Sequence, residues 1–174
     1  MTFAVEEAEG TLRFVGAGTS LSGGTDLRTA THVTLLEVGD RRLKEVLVFD
    51  YLQNFLRTGE HLAVRAARKS PSKSAILLAI RCADGRVERL DDKTTREVCG
   101  NVLLAAVQGA IAGMFLTGPL AAAAGYFFLG INLALAYVLG TAVIPVLLVR
   151  WIRSAQKQLI AIRDADFVDA KKIG

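Results

Sequence analysis

Between Gly100 and Val149 the chain has no Asp, Glu, Lys, Arg or His. A helix needs about 20 apolar residues to cross a ~30 Å hydrocarbon core. The run is therefore too long for one crossing and has room for two with a connection. Its start is punctuated. "DDKTTREV" closes the charged part of the chain, and Thr94 followed three residues later by Glu97 matches a capping box ahead of an apolar run. The spacing predicts a first crossing over about residues 95–117. Gly118, able to adopt the left-handed conformation, and Pro119, unable to continue a helical ladder, read as its stop.

A second helix running from Leu120 to Val149 would be ~45 Å long at 1.5 Å per residue, more than the bilayer takes without steep tilt. The reading therefore divides it into a connection or short interfacial helix over 118–128 and a second crossing over about 129–149. Tyr126, Phe127 and Phe128 then anchor the far interface, and Trp151, between Arg150 and Arg153, the near one. Lys93 and Arg96 precede the first crossing, and Arg150, Arg153 and Lys157 follow the second, while the connection carries no basic residue. The positive-inside rule then puts both termini in the cytoplasm of a multi-pass inner-membrane protein. A re-entrant wedge that returns without crossing is the alternative.

Small residues recur at four-residue spacing in both crossings: Ala105, Gly109, Gly113 and Thr117 in the first, Asn132, Ala136 and Gly140 in the second. Such stripes let backbones approach closely, which replaces the hydrophobic drive absent in lipid. Packing within one hairpin is the plainer reading for at least one stripe, and packing against another protomer the sharper one. Gln108 and Asn132 are strongly polar side chains within the run, each able to make an interhelical hydrogen bond worth ~1 kcal/mol. An ion pathway would normally show a carboxylate, His or Lys within the membrane. Pro145, with Thr141 one turn earlier, reads as a mild kink.

Charge divides the chain unevenly. Residues 1–97 hold 15 of the 21 Lys and Arg and 14 of the 17 Asp and Glu, whereas residues 150–174 hold six basic and three acidic residues. Net charge therefore sits in the tail, beside the apolar run, where it records topology or attraction to anionic lipid. The start, "MTFAVEEAEG", has neither a basic region nor a long apolar core, so no export signal is read there. Cys82 and Cys99 form no CxxC pair and read as reduced structural residues.

Residues 1–93 read as a β-rich domain. "THVTLLEV" (31–38), "LKEVLVF" (43–49), "HLAVRAA" (61–67), "SAILLAIRCA" (74–83) and "RVERL" (86–90) are strand-length runs, with "TLRFVGAGTS" (11–20) a possible addition. Asp84-Gly85 is the best hairpin signal, and residues 50–60 read as a short helical turn ending at Gly59. A small closed barrel, OB-like or SH3-like, is the most economical architecture, and an open sheet packed on the tail the alternative. "GAGTSLSGG" (16–24) lacks phosphate-loop spacing and reads as a surface loop. His32 and His61 lack zinc-ligand spacing, and no nucleophile elbow or paired carboxylate is evident, so neither metal, cofactor nor catalytic residue is assigned. "RAARKSPSK" (65–73) gathers Arg65, Arg68, Lys69 and Lys73; it reads as a solvated hairpin tip, or, with Arg150 and Arg153, as a contact for lipid headgroups or phosphate.

In the tail, residues 151–174, Ile152, Ala155, Leu159 and Ile162 form a short seam on a helix continuing the second crossing. It serves docking within the chain or alignment of protomers. The whole is expected to be an α+β membrane protein: a β-domain over 1–93, a transmembrane hairpin over 94–150 and an amphipathic helical tail. The function expected is a non-enzymatic, membrane-anchored interaction or scaffold module, with the bilayer, a second copy and an unnamed protein as partners. A subunit of an oligomeric channel or pore is the alternative, and nucleic-acid binding at the membrane a weaker one.

Overall fold

The computed structural model describes residues 3–21, 30–69, 73–100, 102–129 and 132–167. The chain divides into two compact units, residues 1–98 with 157–174, and residues 99–156. The first unit is built on strands β1 (Phe3–Val15), β2 (Gly18–Leu21), β3 (Ala30–Val38), β4 (Arg41–Phe49), β5 (His61–Lys69), β6 (Ala75–Cys82) and β7 (Val87–Arg89). A single turn of helix, α1 (Asp50–Gln53), follows β4, and α2 (Asp92–Cys99) follows β7.

Five of these strands close a barrel. The ring runs β1-β5-β6-β4-β3 and returns to β1, antiparallel at every step except β4–β6, where Val46 and Leu47 face Ala75 and Ile76 in parallel. Closure depends on β1, whose first nine residues pair with β5 and whose last four turn onto β3. A barrel corner of this kind needs a glycine or a bulge. Both are present: Gly10 has a φ of +146°, and the register slips between Leu12 and Phe14. At Gly10 a Cβ would lie 2.6 Å from the Cα of Gly39, itself left-handed in the β3–β4 turn. The sequence reading started its first strand only at Thr11 because "FAVEEAEG" carries charge along its outward positions; Ala8 and Leu12 point into the core. β2, within the stretch read as a loop, is a short strand on the free edge of β3; residues 22–24 of that stretch lie outside the described residues.

Leu12, Val33, Leu36, Val46, Leu77 and Ile80 fill the barrel with at most 2% exposure, and α1 adds the fully buried Leu52. β3 and β4 alternate buried and exposed positions, whereas β5 and β6 are buried on both faces over most of their length. Strands covered on both sides read as continuous apolar runs instead of alternating ones.

α2 begins at Asp92, earlier than the capping box placed it. Asp91 is the cap: its carboxylate accepts from the Thr94 backbone N–H at 2.9 Å and from the Thr94 hydroxyl at 2.8 Å. Gly100, with a φ of +113°, ends α2 after Cys99, so the predicted continuous helix from residue 95 is jointed.

The second unit contains α3 (Val102–Phe115), α4 (Thr117–Leu129) and most of α5 (Leu133–Asp164), which passes into the first unit for its last two turns. Residues 118–128, read as a connection or short interfacial helix, lie inside the helix α4. Gly118 is not left-handed, and Pro119 stands in the first turn of α4, where its missing N–H costs no hydrogen bond. The pair "GP" therefore restarts a helix after a joint at Leu116 instead of turning the chain round.

Candidate functional site

Two arrangements of side chains stand out, one in each unit. In the helical unit, α3 and α5 meet at backbone contact. A Cβ at Gly109 would stand 2.7 Å from the Cα of Pro145, and one at Gly113 would run into the Thr141 carbonyl. One at Gly140 would stand 2.6 Å from the Thr117 carbonyl oxygen. These pairings run in antiparallel order and continue into α4, so α3 and the start of α4 together face α5. Gly109, Gly113, Ala136 and Gly140 are buried, and Ala105 is half-buried. Hydroxyls seal the joint between α3 and α4. Thr117 donates to the Gly140 carbonyl at 2.5 Å, and Tyr137 donates to the Met114 carbonyl at 2.9 Å. An apolar surrounding tolerates a broken helix when neighbouring hydroxyls satisfy the freed carbonyls.

Asn132 is not part of the packing stripe. Exposed, it caps α5, its side-chain oxygen accepting from the Ala134 N–H at 2.9 Å. The other partners were not assigned from spacing: Tyr137 receives no role, and Gly118 reads as a helix stop. Gly118 is instead a close-approach glycine, with Thr141 Oγ1 2.8 Å and Tyr137 Cε2 2.9 Å from a Cβ placed there. Tyr126 and Phe127 are exposed on α4 with rings edge-on at 5.5 Å, and Phe128 follows on the same helix. Trp151, Arg150 and Arg153 are exposed on α5.

In the barrel unit, Arg65 departs from the reading of a solvated cluster. Its side chain is 2% exposed. Its Nε donates to Glu7 on the neighbouring strand β1, and its two amino groups donate to the carbonyls of Ile162, Ala165 and Asp166. The Ile162 carbonyl is one of the orphan acceptors at the C-terminal end of α5, and those of Ala165 and Asp166 follow just past it. The guanidinium's planar fork suits several acceptors at once, and the ring of Phe167 stacks 4.5 Å from its Cζ. Arg163 makes the reciprocal grip from α5, donating to the Leu90 carbonyl at 2.9 Å and pairing with Asp92 and Asp164. Leu159, one turn earlier, is fully buried. The tail seam thus serves docking on the barrel at this end.

Arg68 is also drawn inward, bonded to Glu6 at 2.6 Å and to the Lys44 and Lys73 carbonyls. Lys69 is half-buried and Lys73 exposed. The basic cluster is therefore mostly structural. His32 pairs with Glu45 at 2.9 Å, and Glu45 holds a left-handed φ of +54° within β4. His61 lies 3.9 Å from Glu9. Among the described residues no group of three or more His, Cys, Asp or Glu could hold a metal.

Electrostatics follow the same contacts. Hydrogen bonds from Arg163 hold the Asp164 carboxyl below its ordinary range. A hydrogen bond to Glu88 raises the Tyr51 phenol, and burial raises the Cys82 thiol.

The class these features define is a two-unit protein: a closed five-stranded barrel, and a set of helices of which two stretches, Asp92–Phe115 and Leu133–Asp164, are long and apolar enough to cross a membrane. No protein-family model, no curated protein and no solved structure matches the chain.

Proposed function

We propose that the protein is a non-enzymatic interaction module held at the cytoplasmic membrane, its barrel in the cytoplasm and its helical unit inserted as a hairpin. One observation carries this reading. Arg65 binds carbonyls at 162, 165 and 166, and Arg163 binds Leu90 and Asp92, so the segments before and after the apolar run belong to one folded unit. A chain whose apolar run leaves and returns to the same folded unit has both flanks on one side of any bilayer. This supports two crossings or a re-entrant loop, and it agrees with the basic residues on both flanks.

The barrel is read as OB-like. The ring order, with a single parallel contact between β4 and β6 and a helix after β4, favours that topology over an SH3-like one. Its outward β3–β4 face remains alternating and accessible, while the β5–β6 face is covered. A protein partner of the barrel would meet the former.

Alkaline extraction of membranes carrying the intact protein tests the anchor: retention in the pellet supports it, and release into the supernatant overturns it. Cysteines at Thr34 and Ser154 test topology. Labelling of both from the cytoplasmic face alone is expected, and labelling of either from outside refutes the assigned orientation. Affinity capture of the intact protein from its own membrane should recover a stoichiometric partner, lost when Thr34 and Lys44 are both changed to Glu. Failure of that loss refutes the assigned face.

A further inference from the structure

The α3 glycines, which a sequence reading would offer to a second protomer, are occupied by α5 of the same chain. Any self-association must therefore use another face. Leu104, Gln108, Ile111 and Phe115 follow one another at steps of four, three and four residues, the spacing of an a/d seam. Leu104, Ile111 and Phe115 are more than half exposed, and Gln108 is exposed between them. The Gln108 side chain has no hydrogen-bond partner among the described residues. It stands at the middle of a 14-residue helix with no charged residue, about 10 Å of helix from either end at 1.5 Å per residue.

We infer that this seam is a homodimer contact, in which α3 of one copy packs on α3 of a second and the two Gln108 amides pair across the two-fold axis. The inference rests on the membrane reading above, because an amide facing water needs no partner. Hydrocarbon offers no hydrogen bond, so an unpaired amide at mid-helix carries a desolvation penalty. A primary amide has both a donor and an acceptor, and it is therefore complementary to its own two-fold image. Each Gln108 donates to the other's oxygen, which satisfies both with two hydrogen bonds. A two-fold interface also brings identical seams together without any new sequence. A single polar residue in such a seam fixes register and copy number, since shifting either copy separates the amides.

The test uses the full chain, with Cys82 and Cys99 changed to Ser, reconstituted in phosphatidylcholine/phosphatidylglycerol vesicles and confirmed there by resistance to alkaline extraction. Single cysteines at Leu104 and Ile111 should form intermolecular disulfides rapidly. Cysteines at Leu103 and Met114, exposed on other sides of α3, should react at least tenfold more slowly. Energy transfer between labelled copies should show dimerisation weakened about tenfold by Gln108→Leu, and largely retained by Gln108→Asn. Equal cross-linking at all four positions, or undiminished association of Gln108→Leu, overturns the seam. Cross-linking at none of them, with the protein still membrane-bound, overturns the dimer and leaves the anchor standing. A protein that extracts from the vesicles refutes the anchor itself.

Discussion

Replacing Arg65 by Ala should free the end of α5 while leaving the barrel folded. The substitution removes the donors to the Ile162, Ala165 and Asp166 carbonyls and leaves Glu7 without its partner. Hydrogen bonds from a charged donor contribute roughly 1.5–3 kcal/mol each, which for three carbonyls would be excessive as a net cost. The loss is limited because the freed carbonyls reach water once the last turns lift away, and because Glu7 is already 37% exposed. What then holds the turns down is the burial of Leu159, worth about 1.5–3 kcal/mol, with Arg163. Breaking one partner of a buried charged pair costs about 3–5 kcal/mol; the exposure of Glu7 places Arg65→Ala at the lower end, near 3 kcal/mol. That corresponds to an opening constant raised about 150-fold, at 1.4 kcal/mol per factor of ten. Hydrogen exchange of the intact, lipid-reconstituted protein reads it directly. Amides over 157–165 should lose protection by about that factor, while those of β3 and β6 keep theirs. Arg65→Lys, which keeps charge without the planar fork, should show a smaller loss. Unchanged exchange over 157–165 would falsify the latch, and equal loss in β6 would show that Arg65 supports the barrel as a whole.

Gly113→Leu should separate α3 from α5, because the new side chain meets the Thr141 backbone. A loss of roughly 3 kcal/mol or more is expected from overpacking at a backbone contact, visible as a sharp fall in recovery of monodisperse protein; normal recovery and stability would refute the packing. Glu45→Gly should stabilise the barrel by about 0.5–1 kcal/mol, because the left-handed φ of +54° that glycine relieves outweighs the half-buried His32 pair. Urea unfolding checks it, and a destabilisation above about 1 kcal/mol would show that the pair outweighs the strain. Asp164 has a depressed folded pKa, so its stabilising contribution is full above the ordinary carboxyl value of 3.8 and is lost as pH falls through the lower folded value. Protection at the end of α5, corrected for the intrinsic exchange rate at each pH, should fall below about pH 4 in the native protein and fall less in Asp164→Asn.

Most of the barrel was legible because its strands carry their own signals: β-branched runs between turn residues, and Asp84-Gly85 at a hairpin. β1 was not, since a strand bent to pair with two neighbours has charged outward positions along half its length; Gly10 was its signal. The apolar run announced helices, and a short helix over 118–128 was among its readings, but Gly118 reads there as a left-handed helix end, which it is not. Gly and Pro mark an end and a restart with the same letters, and only the contacts with α5, through Tyr137, Gly140 and Thr141, distinguish them. Arg65 was hidden for a different reason. In the sequence it sits among Arg68, Lys69 and Lys73, and its acceptors are backbone carbonyls about 100 positions away, which leave no trace in side-chain identity.

That separation has a consequence during synthesis. When β5 and β6 leave the ribosome, the turns that carry Arg65's acceptor carbonyls have not been made, and under the proposed membrane anchoring the whole apolar run is inserted before they are. Arg65 can find its carbonyls only if the run returns to the side it left. A hairpin that failed to return would strand the helix end across the bilayer and leave Arg65 without its carbonyl partners. Under that proposal, completion of the barrel's surface is conditional on correct insertion, and a misinserted chain would carry an exposed defect on the barrel, where proteases could reach it.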